Sequence, residues 1–587
     1  MATTTGAERP QHREVFSSRT AFLFAAIGSA VGLGNIWRFP YVAYEAGGGA
    51  FLIPYLCALL SAGIPLLFLD YALGHRFRGS SPKVFRRINR FAEPVGWIHF
   101  GICFFITVYY AVIIAWAFLY TGKSVTQAWG ASPETYFFED FLQVDASALN
   151  TFDFVPSITI ALVLVWVGVL AVSALGVDKG VGKLSLIFIP LLGILFFIVV
   201  VYSLTLPGAI TGLNAFFTPE WSALRDSGVW LAAYGQIFFS LSVAFGIQLT
   251  YASYLKPRTN LTGSALVTGL ANSSFELLAG VGVFSALGFI AQANGVGIND
   301  VVTNGIGLAF VAFPAVISQL PAGIGPIFGI LFFLSLAIAG VTSLMSLVEV
   351  TVSCAQDKLK IGRVPAVLGI GGTAAISSIV LFAPTSGVVA LDIMDKWTNH
   401  IGIVSVAILG IVVLDWILRR TTEFGMHLNS VSSFKVGILW RMCVVHITPV
   451  VLGIILLDEL VKLLQSNYEG YSNAQINLYG WGVLATITVA AVVLSVLPWR
   501  GEHELDGPPG SDFGVTADFR VPAHPARKHT ASAAHIERRI LATGEEVQRH
   551  LDTQATEYLD FNTPAELGAA APEAHSATTQ KTAPVRR

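Results

Sequence analysis

The chain has 587 residues, is 54% hydrophobic, carries charge on only 12% of its positions and has a formal net charge of −2. Soluble domains are charged at about a quarter of their positions, so this composition, with a mean hydropathy of +0.66, describes an integral membrane protein. The net charge says nothing in favour of nucleic acid as a partner.

The first twenty residues are polar, and the apolar stretch after them is long and carries Arg38, so residues 1–19 read as a cytoplasmic segment and no signal peptide is apparent. Residues 21–44 are long enough to cross a bilayer, yet their middle reads GSAVGLGNIWRFP, with Gly28, Gly32, Gly34, Asn35, Arg38 and Pro40. Glycine costs roughly 1 kcal/mol in a helix interior relative to alanine. Backbone groups freed at membrane depth must also find other partners. Residues 30–34 therefore read as a broken helix whose bare peptide groups bind something. The four-residue spacing of Gly28 and Gly32 also suits close helix packing, but Asn35 and Arg38 are groups that an apolar span carries at a cost and chiefly for function.

Segments near 20 residues give twelve spans, beginning near Thr20, Gly49, Val95, Pro156, Lys183, Val229, Thr262, Ile324, Ala366, Gly387, Phe434 and Tyr479. The eighth and tenth run well past their apolar cores. The loop after the second span holds Arg76, Arg78, Lys83, Arg86, Arg87 and Arg90, whereas residues 131–153 hold five acids and no Lys or Arg. Lys179, then Lys256 and Arg258, then Lys358, Lys360 and Arg363, and finally Arg419, Arg420 and Lys435 repeat the basic pattern on alternate connections. This bias places both termini in the cytoplasm of a multi-pass cell-membrane protein. Cys57, Cys103 and Cys443 fall in apolar runs and Cys354 near a span end, which reads as buried free thiols rather than disulfides or metal ligands.

The sixth span, residues 229–254, again places small and polar residues in mid-membrane: Ser240, Ser242, Ala244 and Gly246. Two interrupted helices at matching positions of two five-span halves point to an inverted-repeat transporter with its site at the midplane. Half-helix N-termini there offer N–H groups to an anion and freed carbonyls can ligate a cation. The seventh span adds Asn272 and Glu276, one turn apart on one face; the eighth adds Thr342 and Ser343 after Ala339. These are hard oxygen ligands suited to a small hard cation, with no soft or imidazole set for a transition metal. Residues 298–321 are too apolar for a free loop and too broken for a span, and read as a re-entrant extracellular element over the pathway. From residue 500 the chain turns polar and reads as a mostly disordered cytoplasmic tail, with one amphipathic helix at residues 536–551.

These motifs together resemble the neurotransmitter:sodium symporter family and its bacterial amino-acid members. The match rests on NIWRFPY with GGGAFLIPY, the Tyr109–Tyr110 pair, FFSLSVAFG with TYASY, AGVTS and LDIMDKW. The resemblance spans residues 13–498 and implies an all-α membrane protein of twelve transmembrane helices, the five-plus-five inverted repeat of the LeuT-type fold, with helices 1 and 6 discontinuous. The first repeat would occupy residues 20–206 and the second residues 207–419, followed by helices 11 and 12 in residues 420–499 and the tail in residues 500–587.

The resemblance further implies two Na⁺ ions and a free amino acid as cargo. The first sodium site would use Ala30, Asn35, Ser240 and Asn272 with the substrate carboxylate, and the second Gly28, Val31, Ala339, Thr342 and Ser343. Substrate would meet Ala30, Leu33, Gly34, Tyr110, Phe239, Ser240 and Ser242, with side-chain selectivity from Ser29, Ile106, Phe239, Ala244, Phe245, Ser343, Leu344 and Leu347. Monoamine members place an aspartate where this chain has Gly32, so the resemblance implies an amino acid, neutral and small to medium in size, such as methionine, alanine or leucine. Members that take up methionine and alanine are the leading comparison. Glu276 stands where chloride-dependent relatives bind Cl⁻ near Tyr55, Gln236 and Asn272, which implies chloride-independent transport, with a proton on Glu276 in the empty return step as a further expectation. Arg38 and Asp395 resemble the extracellular ion pair under a lid of Tyr110 and Phe245. Arg13 and Asp357, with Phe16 in place of the usual tryptophan and Tyr254 in support, resemble the cytoplasmic gate.

A non-transporting amino-acid receptor of the same fold is the alternative, with the tail as its output. It leaves two sodium sites without purpose. An enzyme is not expected, because no nucleophile and base accompany the polar cluster. Nothing in the sequence indicates a dimer or an accessory subunit.

Overall fold

Hydrogen-bonded helices continue through the polar flanks of several apolar runs, as in Arg90–Lys123 and Val177–Leu204, so these elements outlast the hydropathy that announces them. The computed structural model describes residues 14–500, apart from residues 148, 150, 303, 304 and 322. The tail, its expected helix at residues 536–551, and Arg13 lie outside the described residues. Among the described residues no β-strand forms, and two isolated bridges, Gly48 with Pro219 and Phe154 with Pro384, only join loops.

Ten helices are long and apolar enough to cross a membrane, and the pair Arg19–Ala30 and Leu33–Glu45, bent by 51°, makes an eleventh. The sixth expected span is two helices, Ser227–Ser240 and Ile247–Ala252, of 14 and 6 residues, each too short to cross alone. The third span starts at Arg90 rather than Val95 and the fifth at Val177 rather than Lys183. In both, the helix begins in its polar flank. Residues 298–321 hold a short apolar helix, Gly305–Gln319, whose Phe313 stacks on Phe332 at 3.8 Å between ring centres.

Burial separates an inner from an outer set. In Arg90–Lys123, 72% of the apolar window is buried inside the protein, against 28% for Val177–Leu204, Ile438–Gly470 and Asn473–Val496. The inner set surrounds the interruptions and is drawn close by small residues. A Cβ at Gly74 of Gly49–Phe77 would stand 1.9 Å from the Leu249 carbonyl oxygen, so only glycine lets that helix lie against Ile247–Ala252.

The basic residues that fix the orientation argument are also structural. Arg76 pairs with Glu423 at 2.5 Å, Lys83 with Asp357 at 3.5 Å, and Arg86 with Glu93 at 2.8 Å. Glu93, fully buried, further accepts from Trp97 and Trp499 and meets Lys358 at 3.3 Å. The four cysteines are free thiols, but only Cys103 and Cys354 are buried; Cys57 is exposed and Cys443 half-buried, because an apolar run in a membrane protein need not face the protein interior.

Candidate substrate and ion site

The first interruption is short. The helix Arg19–Ala30 starts on a Ser18 cap, whose hydroxyl accepts the Ala21 N–H at 3.1 Å, and ends at Ala30. Val31 and Gly32 are extended, and the next helix begins at Leu33. The freed N–H groups are met by side chains: Gly32 donates to Asn35 Oδ1 at 2.9 Å and Leu33 to the Tyr110 hydroxyl at 3.2 Å.

The second interruption, residues 241–246, is longer and more contorted. Ser242, Ala244 and Gly246 have φ of 53°, 61° and 102°, the left-handed region that L side chains adopt at a cost of about 1–2 kcal/mol. The Ala244 N–H donates to Asp70 Oδ2 at 2.9 Å. Ser242 Oγ donates to the Ser29 carbonyl at 2.9 Å, so the second interruption touches the end of the helix that leads into the first.

Between them lies a cavity of about 270 Å³. Its wall includes Ser29, Ala30, Leu33, Gly34, Ile106, Tyr110, Phe239, Ser240, Ser242, Phe245, Ser343 and Leu347. Ala244 and Leu344 lie off this wall: Ala244 lines a second, much smaller cavity beside Asp70 and His99, and Leu344 is fully buried in helix packing. Ile247, Leu391, Asn399 and Ile403 join the wall, and Gly305 and Ile306 bring the short apolar helix to it.

The groups expected at the first ion site form one chain of contacts. Asn35 Nδ2 donates to Asn272 Oδ1 at 2.8 Å, and Asn272 Nδ2 to Ser240 Oγ at 3.0 Å, all three residues being buried. At the second, Ser343 Oγ donates to the Gly28 carbonyl at 3.1 Å and Thr342 Oγ1 to the Ala339 carbonyl at 3.0 Å. Every side-chain donor in the two groups can present oxygen, the chemistry of a small hard cation. Among the described residues no cluster of three or more His, Cys, Asp or Glu side chains could hold a metal ion.

Glu276 is fully buried and carries the Tyr55 hydroxyl on one oxygen and Gln236 Nε2, at 2.6 Å, on the other. Arg38 and Asp395 both reach the cavity wall but form no ion pair among the described residues. Arg38 lies over the Phe239 ring at 4.3 Å, and Asp395 accepts from Asn399 Nδ2 at 2.6 Å. On the basic face, Phe16 is buried edge-on against Phe22, Tyr251 and Tyr254. Asp357 accepts the Ser80 N–H at 2.6 Å. Tyr254 turns its hydroxyl to Glu349 at 2.7 Å, and Glu349 pairs with Arg363 at 2.5 Å.

Sequence reasoning overlooked Asp70, Gln248 and Glu349. Asp70 carried a legible signal, an acid inside PLLFLDYALG, which at membrane depth is a functional hypothesis by default. Glu349, an acid inside LVEV, carried the same signal, whereas Gln248 sits beside hydroxylic and small residues and only its contacts single it out.

The sodium:neurotransmitter symporter family model matches residues 13–135 and 130–501. An uncharacterized sodium-dependent transporter of Methanocaldococcus jannaschii is 38% identical over 482 residues, covering 82% of this chain and 97% of its own. The sodium-dependent serotonin transporter of Drosophila melanogaster is 31% identical over 470 residues, 75% of each chain. With a broken-helix site built from the same motifs, the chain belongs to the sodium:neurotransmitter symporter family.

Proposed function

We propose that this protein is a sodium-coupled symporter that imports a neutral amino acid with an apolar side chain by alternating access, without chloride. The observation that carries the reading is the meeting of two interrupted helices at a buried cavity flanked by two sets of oxygen donors. Relatives named as sodium-dependent transporters support the ion. One sodium binds at Ala30, Asn35, Ser240 and Asn272 and is completed by the substrate carboxylate; the other binds at Gly28, Val31, Ala339, Thr342 and Ser343. Sharing the carboxylate makes ion and substrate bind better together than apart, a reciprocal coupling free energy. Two charges moved down 100 mV supply about 4.6 kcal/mol, enough for more than a thousandfold accumulation of a zwitterion at about 1.4 kcal/mol per tenfold.

Two features support the substrate class. A Cβ at Gly32 would meet Ser343 Oγ at 3.0 Å and the Tyr110 hydroxyl at 3.1 Å, so the space an acidic side chain would need is left for a carboxylate brought by the substrate. The hydroxyls of Ser29, Ser242 and Ser343 all donate to protein carbonyls, leaving Ile106, Phe239, Phe245 and Leu347 to receive the side chain. Glu276 supplies a fixed negative group beside the first ion site. The basic face is the cytoplasmic one, sealed by Phe16, and Arg38 and Asp395 close together over bound substrate on the other.

Purified protein screened against the twenty amino acids should gain thermal stability from a neutral apolar one only when Na⁺ is present. In proteoliposomes the same amino acid should show counterflow, which a receptor lacks. Uptake should survive replacement of all chloride by gluconate; its collapse would remove the assigned role of Glu276.

A further inference from the structure

Gln248 stands in the helix Ile247–Ala252 just beyond the second interruption and is fully buried. Its amide nitrogen lies 3.0 Å from Ser29 Oγ, 3.4 Å from the Ala26 carbonyl and 3.3 Å from the Leu241 carbonyl. Its amide oxygen accepts from the Tyr71 hydroxyl at 3.4 Å. Two of the neighbours around the nitrogen are backbone carbonyls, which can only accept, so the chemistry fixes which end of the amide is which.

The consequence falls on Ser29, which lines the cavity. A serine hydroxyl has one hydrogen to give, and Ser29 gives it to the Ala26 carbonyl at 2.8 Å. Gln248 donates to the same oxygen and Ser242 to the Ser29 carbonyl, so hydroxyl and main chain are both held from the side of the second interruption. A cargo side chain therefore meets Ser29 with its hydrogen engaged by Ala26, one of its oxygen's two lone pairs taken by Gln248, and the hydroxyl held in one orientation.

We propose that Gln248 is a specificity-determining residue, which keeps the cavity apolar toward the cargo by holding the Ser29 hydroxyl; the proposal rests on the amino-acid reading given above. A valine side chain loses nothing against such a wall. A threonine of the same shape gives up water for its hydroxyl and gains no partner at Ser29, and discrimination of this kind reaches at most about a hundredfold. Without Gln248, Ser29 is free to turn its oxygen to the cargo and accept the threonine hydrogen.

The test uses the full chain in proteoliposomes and compares sodium-driven uptake of labelled valine and threonine, with alanine and serine as a second isosteric pair. In Gln248→Leu and in Gln248→Met, the unbranched variant of similar length, the kcat/KM preference for the apolar member should fall about tenfold, mostly through a lower KM for the hydroxylated one. Adding Ser29→Ala to either variant should return the preference to within about threefold of native, because the released oxygen is gone. Ser29→Ala in the otherwise native chain does not depend on tolerance at position 248. It should leave the ratio within about threefold of native whatever it does to total uptake, since the hydroxyl is already masked. Equal losses for both members of a pair in the Gln248 variants, or a selective loss of threonine in Ser29→Ala, overturn the proposal. A native protein that shows sodium-driven uptake of none of the twenty amino acids removes the transport reading and this proposal with it, and one that carries others but neither pair overturns the proposal alone. One that carries the pairs with a ratio indifferent to Gln248 removes the proposal alone.

Discussion

The two interruptions differ in length, in backbone strain and in what holds them. The first spans Val31 and Gly32, keeps ordinary extended angles, and satisfies its N–H groups from Asn35 and Tyr110, side chains on the site itself. The second spans six residues, places Ser242 and Ala244 in the left-handed region, and is held from behind by Asp70 and Gln248, neither of which lines the cavity. The groups that cap the first break are those the proposed ligands would also use, so on that reading ligand binding can reorganise it. The second is braced by side chains that lie off the cavity wall.

The sharpest way to break this contrast is Asp70→Leu. The carboxylate accepts the Ala244 N–H at 2.9 Å, and at membrane depth an orphaned N–H costs several kcal/mol. We expect a loss of about 2–4 kcal/mol in stability, seen as a lower unfolding midpoint in detergent with and without sodium, together with collapse of uptake. A variant as stable as the native protein would mean that the second interruption is not held by Asp70.

Tyr110→Phe makes the opposite probe and a smaller change. It removes the acceptor of the Leu33 N–H and the phenol expected to meet a substrate carboxylate. In the empty protein water can take the phenol's place on that N–H, because Leu33 joins the cavity wall, so the deficit of about 1–2 kcal/mol should fall on binding, where the phenol's bond to the carboxylate is lost. The expected reading is a KM raised about tenfold with the sodium-free unfolding midpoint little changed. A midpoint loss as large as that of Asp70→Leu would show that the first break, too, is part of the scaffold.

How far the sequence announced these features follows from the kind of signal each leaves. The spans were legible because a bilayer demands long apolar runs, and both breaks were legible because Gly28 to Gly34 and Ser240 to Gly246 put small and polar residues where such runs should continue. The motifs then led to most of the cavity wall. What stayed hidden depends on side-chain direction. Ala244 sits inside a motif, yet it lines the small cavity beside Asp70 and His99 rather than the central one. Leu344 follows Ser343 directly, but a helix turns each successive side chain by about 100°, and Leu344 is buried off the wall that Ser343 joins. The separation of Arg38 from Asp395 is likewise a matter of side-chain direction: Arg38 lies over the Phe239 ring and Asp395 turns to Asn399. Packing glycines such as Gly74 were legible only as glycines, since the carbonyl that excludes a Cβ comes from a helix 175 positions later at Leu249.

The finest test of the contrast is Ala244→Gly. Ala244 has a φ of 61° and its N–H is bound to Asp70, so the native conformation is fixed by the surroundings and paid for by the alanine. Glycine reaches that region without the Cβ penalty, while the freer unfolded chain returns part of the gain. The net expectation is a stabilisation of about 0.5–1 kcal/mol, read as a raised unfolding midpoint, with substrate preference unchanged because Ala244 does not touch the central cavity. The same change at Ser242 should not stabilise, because there the side chain donates to the Ser29 carbonyl and its removal loosens the contact between the two interrupted helices. If glycine at 244 lowers the midpoint instead, the alanine methyl contributes packing in the small cavity beside Asp70 that outweighs the strain, and the second interruption is held by its side chains as much as by its braces.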